Sequence, residues 1–239
     1  MSDSPVNKRL SGRPYQTIDN LGRINETFYD AAGRTWITNQ NYVAGGTVYG
    51  CFYPVKGDSQ VAAELKPTDT DEDVVVKYDY DSSGRLATMV AYDANGTSVT
   101  EEATKYLYGS PVNASWQTAV VYPDSTDTVA QDGNGDWTIT AGADHTSTTY
   151  DWLGQTTSTT DQRGVVHSYV YDSAGRVSYD TVTSFGSGGV DSAVQSIGTS
   201  YDDMGRVKEV TSYSGVIENA GGQYIGDPSK VVGLKRGHH

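Results

Sequence analysis

Four stretches of this 239-residue chain are near-copies of one another: "FYDAAGRT" (28–35), "YDYDSSGRL" (78–86), "YVYDSAGRV" (169–177) and "YDDMGRV" (201–207). Each reads Tyr-Asp, two undemanding residues, then Gly-Arg and a strand-forming run. Recurrence constrains the fold more than composition does, because every copy must be the same local unit and neighbours must bury what one copy cannot. Degenerate copies fill some of the gaps: Asp19 with Gly22 and Arg23, Asp93 with Gly96, Asp151 with Gly154, and Asp161 with Gly164. Neighbouring aspartates are 11 residues apart at 19–30, 12 at 81–93, 10 at 151–161 and 11 at 161–172.

A spacing near 11 suits one strand of about five to six residues plus one tight turn. Between the turns stand β-branched or alternating runs, "VVVKYDY", "WQTAVVY", "DWTIT", "VVHSYVY" and "KEVTSY", which are strand signals. Two segments, "DSQVAAELK" (58–66, stopped by Pro67) and "TEEATKYLY" (100–108), are expected to give short helices. The fold class is therefore all-β: antiparallel hairpin repeats in a curved or spiralling sheet, with few or no helices.

Each motif residue has a physical task. Tyr ends a strand and packs against the next repeat. Asp opens the turn and accepts backbone N–H bonds from residues just ahead. Gly takes a positive-φ position that would strain any other residue. Arg opens the returning strand, where it can pair with an Asp or stack on a Tyr face. The structural set is Tyr29, Asp30, Gly33 and Arg34; Tyr80, Asp81, Gly84 and Arg85; Tyr171, Asp172, Gly175 and Arg176; and Tyr201, Asp202, Gly205 and Arg206.

Composition has to permit a folded chain. Val, Ile, Leu and Phe make only 43 of 239 residues, and the net charge is −13, a pairing that alone points to disorder. The 18 tyrosines reverse that, since each buries a large ring and keeps its hydroxyl wet. A Tyr-rich, partly wet core is expected. The 17 basic residues are scattered and outnumbered by 30 acids, which argues against nucleic acid. The single cysteine, Cys51, excludes an internal disulfide and reads as a small buried hydrophobe. No apolar run reaches transmembrane length, so membrane insertion is not expected, and no signal peptide opens the chain. The ending "KRGHH" (235–239) reads as a tag remnant, so His238 and His239 carry no functional weight and the chain is expected to be a piece of something larger.

Tyr-Asp-x-x-Gly-Arg followed by an aliphatic residue resembles the YD-repeat, or Rhs-repeat, family, most closely over "TTDQRGVVHSYVYDSAGRVSYDTVT" (159–183). The resemblance spans most of 15–213, with insertions near 40–75 and 105–145, leaving 1–14 as a lead-in and 214–234 as a C-terminal tail. It implies a long antiparallel sheet of β-hairpins that spirals into a shell, as in large bacterial proteins that are secreted or exposed at the cell surface, toxins among them. Its implied partner is the remainder of the parent protein. Family members that close the shell carry an aspartate-dependent self-cleavage site, Asp-Pro-x-Gly. Here Asp227-Pro228 is followed by Ser229-Lys230, so self-cleavage is not carried over.

Other residues are weighed for chemistry. Asp132, Asn134 and Asp136 alternate like the start of a calcium loop, but Trp137 and Ala143 stand where that loop needs Gly and a bidentate acid. A Gly-rich turn is the plainer reading, and no cofactor is expected beyond possible calcium. Asp69, Asp71, Glu72 and Asp73 read as a solvated acidic loop. His145 and His167 are the histidines outside the ending, and no Gly-x-Ser-x-Gly elbow accompanies them, so no catalytic residue is assigned. Trp36, Trp116, Trp137 and Trp152 are candidate sugar-stacking platforms, against a ladder of rings within the sheet. The leading expectation is a non-catalytic scaffold or shell segment of an extracellular or surface protein. The alternatives are a carbohydrate- or surface-binding module that uses exposed Trp and Tyr, and a hydrolase with an unrecognised site.

Overall fold

The computed structural model describes residues 16–42, 74–95, 98–187, 189 and 191–236. The expected helix at 58–66, Cys51, the acidic loop at 69–73 and the two terminal histidines lie outside the described residues. The chain divides into two compact units, Met1–Lys105 and Tyr106–His239.

The first unit contains β1 (Gln16–Ile18), β2 (Ile24–Tyr29), β3 (Thr35–Tyr42), β4 (Val74–Tyr80) and β5 (Leu86–Asn95). The next strand, β6 (Ser98–Tyr108), runs past the unit boundary. Each strand pairs antiparallel with the next. The helix expected at 100–108 is instead part of β6, held by eight residue pairs with β5 from Thr88↔Lys105 to Asn95↔Ser98. Its Glu and Lys content favours helix locally, but cross-strand pairing overrides propensity. The turn expected at Asp93 also shifts, since Asp93 pairs with Thr100 inside the β5–β6 ladder.

The second unit continues with β7 (Gln117–Val121), β8 (Thr128–Gln131), β9 (Trp137–Ala141), β10 (Thr146–Tyr150), β11 (Thr156–Thr160) and β12 (Val165–Tyr171). It is completed by β13 (Val177–Phe185), β14 (Ser196–Tyr201), β15 (Val207–Tyr213), β16 (Val216–Glu218), β17 (Tyr224–Gly226) and β18 (Val231–Arg236). Residues 214–236 are thus no loose tail. They form the β16–β17 ribbon, one 3-10 turn at Pro228–Lys230, and β18, which pairs with β15 from Glu209↔Arg236 to Tyr213↔Val231. Lys235 and Arg236, expected in a tag remnant, are strand residues.

The protein is all-β. Fourteen strands form one antiparallel sheet in the order β1-β2-β3-β4-β5-β6-β7-β10-β11-β12-β13-β14-β15-β18, not closed into a barrel. β8–β9 and β16–β17 are separate two-stranded ribbons. The β8–β9 ribbon lies within residues 105–145, which also contain β7 of the main sheet.

Among the described residues each unit has its own buried cluster. In the first unit Trp36, Ile37 and Val75 are buried, with Phe28 and Tyr92 packed against them. Burial, with the Glu101 and Asp79 charges, pushes the Tyr92 hydroxyl up to about 12. In the second unit Leu107, Ala119 and Val121 are buried under Val129, Trp137 and Ile139 of the β8–β9 ribbon. The β17 strand packs against β12, β13 and β14, where Thr181 and Ser196 are buried and share a 2.8 Å hydrogen bond.

Candidate functional site

The repeated turns are built alike. At Asp30, Oδ1 accepts the N–H groups of Ala32 (2.9 Å) and Arg34 (2.8 Å), while Oδ2 takes the Arg34 guanidinium through Nε and Nη2 at 2.7 Å each. Asp172 and Asp202 repeat both backbone bonds and the Arg ion pair, and Asp81 is paired with Arg85 in the same way. The Gly N–H returns to the Asp carbonyl in every copy. Gly33, Gly84, Gly175 and Gly205 have φ of 79°, 84°, 77° and 81°, the left-handed region this closure requires.

The electrostatics follow from those bonds. Burial works to raise the Asp30 and Asp81 carboxyls, but the N–H and guanidinium of Arg34 and Arg85 outweigh it and hold both below the usual value. At Asp172 the Arg176 guanidinium is the leading cause of the lowering, and at Asp202 the Arg206 N–H is.

Turns preceded by Tyr differ from the rest. Ladder register slips by one residue at Tyr29, Tyr80, Tyr150, Tyr171 and Tyr201. The extra residue is Trp36, Ala87, Thr157, Ser178 or Lys208, just past the start of the returning strand. The ladders at the Asp19 and Asp161 turns, which carry no Tyr, stay in register. Such a bulge disrupts pairing locally and leaves a carbonyl to be satisfied elsewhere.

The next Tyr satisfies it. Tyr80 donates its hydroxyl to the Thr35 carbonyl (2.6 Å), Tyr171 to Thr156 (2.9 Å) and Tyr201 to Val177 (2.9 Å). The Arg one residue earlier covers the same ring, with the guanidinium carbon 4.2 Å from the ring centre for Arg34 over Tyr80 and for Arg176 over Tyr201. It also covers the next turn's glycine: a Cβ on Gly84 would lie 3.3 Å from Arg34 Nη1, and one on Gly205 the same distance from Arg176 Nη1. Consecutive turns on one end of the strands are therefore interlocked by side chains as well as by the ladder. In the first unit these are the turns at Asp30 and Asp81; in the second, those at Asp151, Asp172 and Asp202.

One member of this set has no motif. The loop before β7 ends at Trp116, which occupies the Arg position: its ring lies 5.2 Å from that of Tyr150 and would meet a Cβ on Gly154 at 3.0 Å. Tyr150 completes the pattern by donating to the Gln117 carbonyl at 2.8 Å. "GSPVNASW" contains no Asp-x-x-Gly-Arg, so this link could not be found by motif.

The tryptophans do not form a shared platform. Trp36 is 5% exposed and belongs to the core, offering no face to a sugar. Trp137 packs on the Leu107 cluster and Trp116 on Tyr150, leaving Trp152, 78% exposed at a turn tip, as the single exposed ring of the four.

Asp132 opens the β8–β9 turn, where its Oδ1 accepts the N–H groups of Asn134 (2.8 Å) and Asp136 (3.0 Å). These bonds, that of Asp136 foremost, lower its carboxyl, in the manner of the other Asp turns. His145 Nδ1 lies 2.5 Å from Oδ2 of Asp127, whose side chain is fully buried and whose Oδ1 accepts the Asp144 N–H. A Cβ on Gly142 would overlap that carboxylate, so a bare glycine seats it. This cluster closes the base of the β8–β9 ribbon. His167 Nδ1 is 2.7 Å from Asp180 Oδ1, and among the described residues no Ser or Thr hydroxyl bonds its ring.

No family model matches the chain, and no curated protein matches it. Solved structures do. A Photorhabdus luminescens Tc holotoxin pore carrying a TccC3 mutation aligns at 17% identity and TM-score 0.37, over 82% of this chain and 11% of that one. TcdB2-TccC3 with Cdc42 aligns at 12% identity and TM-score 0.27, over 87% and 12%. TcdB2-TccC3 alone aligns at 12% and 0.27, over 90% and 13%. The chain thus spans roughly a tenth of the length of these structures.

Proposed function

We propose that the chain is a non-catalytic structural segment of a larger β-hairpin shell, in a secreted or cell-surface protein of YD-repeat type, with the rest of that protein as its partner. The observation that carries this reading is the interlock: the turns at Asp30 and Asp172 each present a strand carbonyl and a guanidinium face to the Tyr of the following hairpin. The conspicuous ionisable residues are consumed within the turns, which suits scaffold better than catalysis. The interlocks recur down the sheet, so ordering one hairpin stabilises its neighbour, as in repeat proteins. The test is a panel of ester, peptide and glycoside substrates. No turnover is expected, and a hydrolytic rate abolished by His167→Ala would overturn the scaffold reading.

A further inference from the structure

Each motif turn has two tip positions between its Asp and its Gly. Most hold small or polar pairs: Ala31-Ala32, Ser82-Ser83, Gln162-Arg163 and Ser173-Ala174. Two in the second unit do not. The Asp151 turn carries Trp152 and Leu153, 78% and 60% exposed, and the Asp202 turn carries Met204, 81% exposed. Both turns lie on one end of the second unit's strands, the end that also holds the loop before β7, where Val112 is exposed. Successive turns on this end lie two strand spacings, about 10 Å, apart. The four side chains therefore form a row along one rim, with the small Ser173-Ala174 tip inside it. The tip positions make no demand on the fold, and the scaffold reading gives the row no task.

The row is ordered before anything binds. Asp151 Oδ1 accepts the Leu153 N–H and Asp202 Oδ1 the Met204 N–H, each at 2.9 Å, which fixes both tips. The Trp116 ring backs the first of them at Gly154. A protein partner fits this rim poorly, because a specific interface takes about 20–30 residues a side and four projecting side chains do not supply that. A fluid bilayer needs no matching shape. Trp suits the headgroup level, with an apolar ring and a polar N–H, and Leu and Met suit the acyl boundary just beneath. Charge selects the headgroup. Arg176 and Arg206 are neutralised by Asp172 and Asp202. Among the described residues Asp151 and Asp203 have no cation partner, and the unpaired Lys208 lies back in β15. An aromatic face beside two unneutralised carboxylates suits a quaternary ammonium and repels anionic lipid.

We propose that this rim docks the chain onto a bilayer of choline lipids. Val112, Trp152, Leu153 and Met204 enter at headgroup depth, and no strand crosses. The net charge of −13 weakens binding to anionic membranes. The docking is independent of the scaffold reading.

The test is cosedimentation of the full chain with phosphatidylcholine vesicles at millimolar lipid and low salt, repeated with phosphatidylserine mixed in. Binding to the neutral vesicles is expected, and weaker binding once phosphatidylserine is present. Trp152→Ser combined with Leu153→Ser should lower the affinity about tenfold or more and leave the melting temperature unchanged, since both side chains are exposed. Met204→Ser should lower it less. Brominated phosphatidylcholine should quench the tryptophan fluorescence of the chain, and the quenching should vanish in Trp152→Ser. No cosedimentation would overturn the proposal, as would stronger binding to phosphatidylserine vesicles or binding unchanged in the combined variant. Self-association that the combined variant abolishes, without vesicle binding, would assign the rim to a second copy instead and equally overturn it.

Discussion

Arg176 lies over the ring of Tyr201, its guanidinium carbon 4.2 Å from the ring centre, although the two residues open different hairpins. The carbonyl of the next residue, Val177, takes the Tyr201 hydroxyl. The two contacts should be coupled. A double-mutant cycle with Arg176→Ala and Tyr201→Phe is expected to show a coupling of about 0.5–1 kcal/mol in urea unfolding. Tyr201→Phe alone should destabilise by about 1 kcal/mol, because the carbonyl loses its donor. Strict additivity would show that the turns are not interlocked.

Glycines separate conformation from crowding. Gly22 has φ 81° with open space around a would-be Cβ, whereas Gly205 has the same φ with Arg176 Nη1 3.3 Å away. Gly22→Ala should cost about 1 kcal/mol from backbone strain alone. Gly205→Ala should cost more, since it also displaces the guanidinium from Tyr201. Equal losses in denaturant midpoints would count against the arginine's role.

Burial grades the turn aspartates. The Asp81 side chain is 1% exposed and that of Arg85 17%, so removing the carboxylate strands a largely buried cation and two turn N–H groups, those of Ser83 and Arg85. Asp81→Ala is expected to cost roughly 3 kcal/mol. Asp202→Ala should cost clearly less, because Arg206 is 62% exposed and water can replace its partner. Thermal unfolding of both variants checks the order.

Acid should unfold the protein by a predictable route. Asp30, Asp81, Asp172 and Asp202 all sit below the ordinary value of 3.8 when folded. The unfolded chain then binds protons more readily, so the stabilisation is full above the unfolded value and is lost as pH falls through the folded ones. Urea midpoints should hold steady in mild acid and drop steeply from about pH 4 downward. Asp81→Asn should flatten part of that drop; an unchanged profile would remove Asp81 from the account.

Calcium should matter little. Asp132 already spends Oδ1 on two backbone N–H groups. The melting temperature is expected to be the same in calcium and in EDTA. A calcium-dependent rise of several degrees would reveal a native-state site at the Asp132 loop.

The turns were legible because their chemistry is local: Asp, Gly and Arg act within five residues, so one copy of the motif contains the whole hydrogen-bond set. What lay between copies was not. A spacing near 11 merges turns from opposite ends of the strands, and the split between Tyr-bearing turns with a bulge and plain turns at Asp19 and Asp161 needs register. The stacking partner of Arg34 is 46 residues on, past residues 43–73. Trp116 replaced an Arg with a different flat side chain, which no motif search would match. The helix expected at 100–108 failed because its composition favours helix in isolation, whereas β5 supplied eight pairing partners.

The interlock also has a polarity. The earlier segment supplies the carbonyl, with Arg34 or Arg176 beside it at two of the links and Trp116 at another, and the later turn supplies the ring and the hydroxyl. Arg206, the last motif arginine, is 62% exposed, and among the described residues no ring covers it. Each link therefore runs in one sense along the chain, from a carbonyl in the earlier segment to a tyrosine in the later turn.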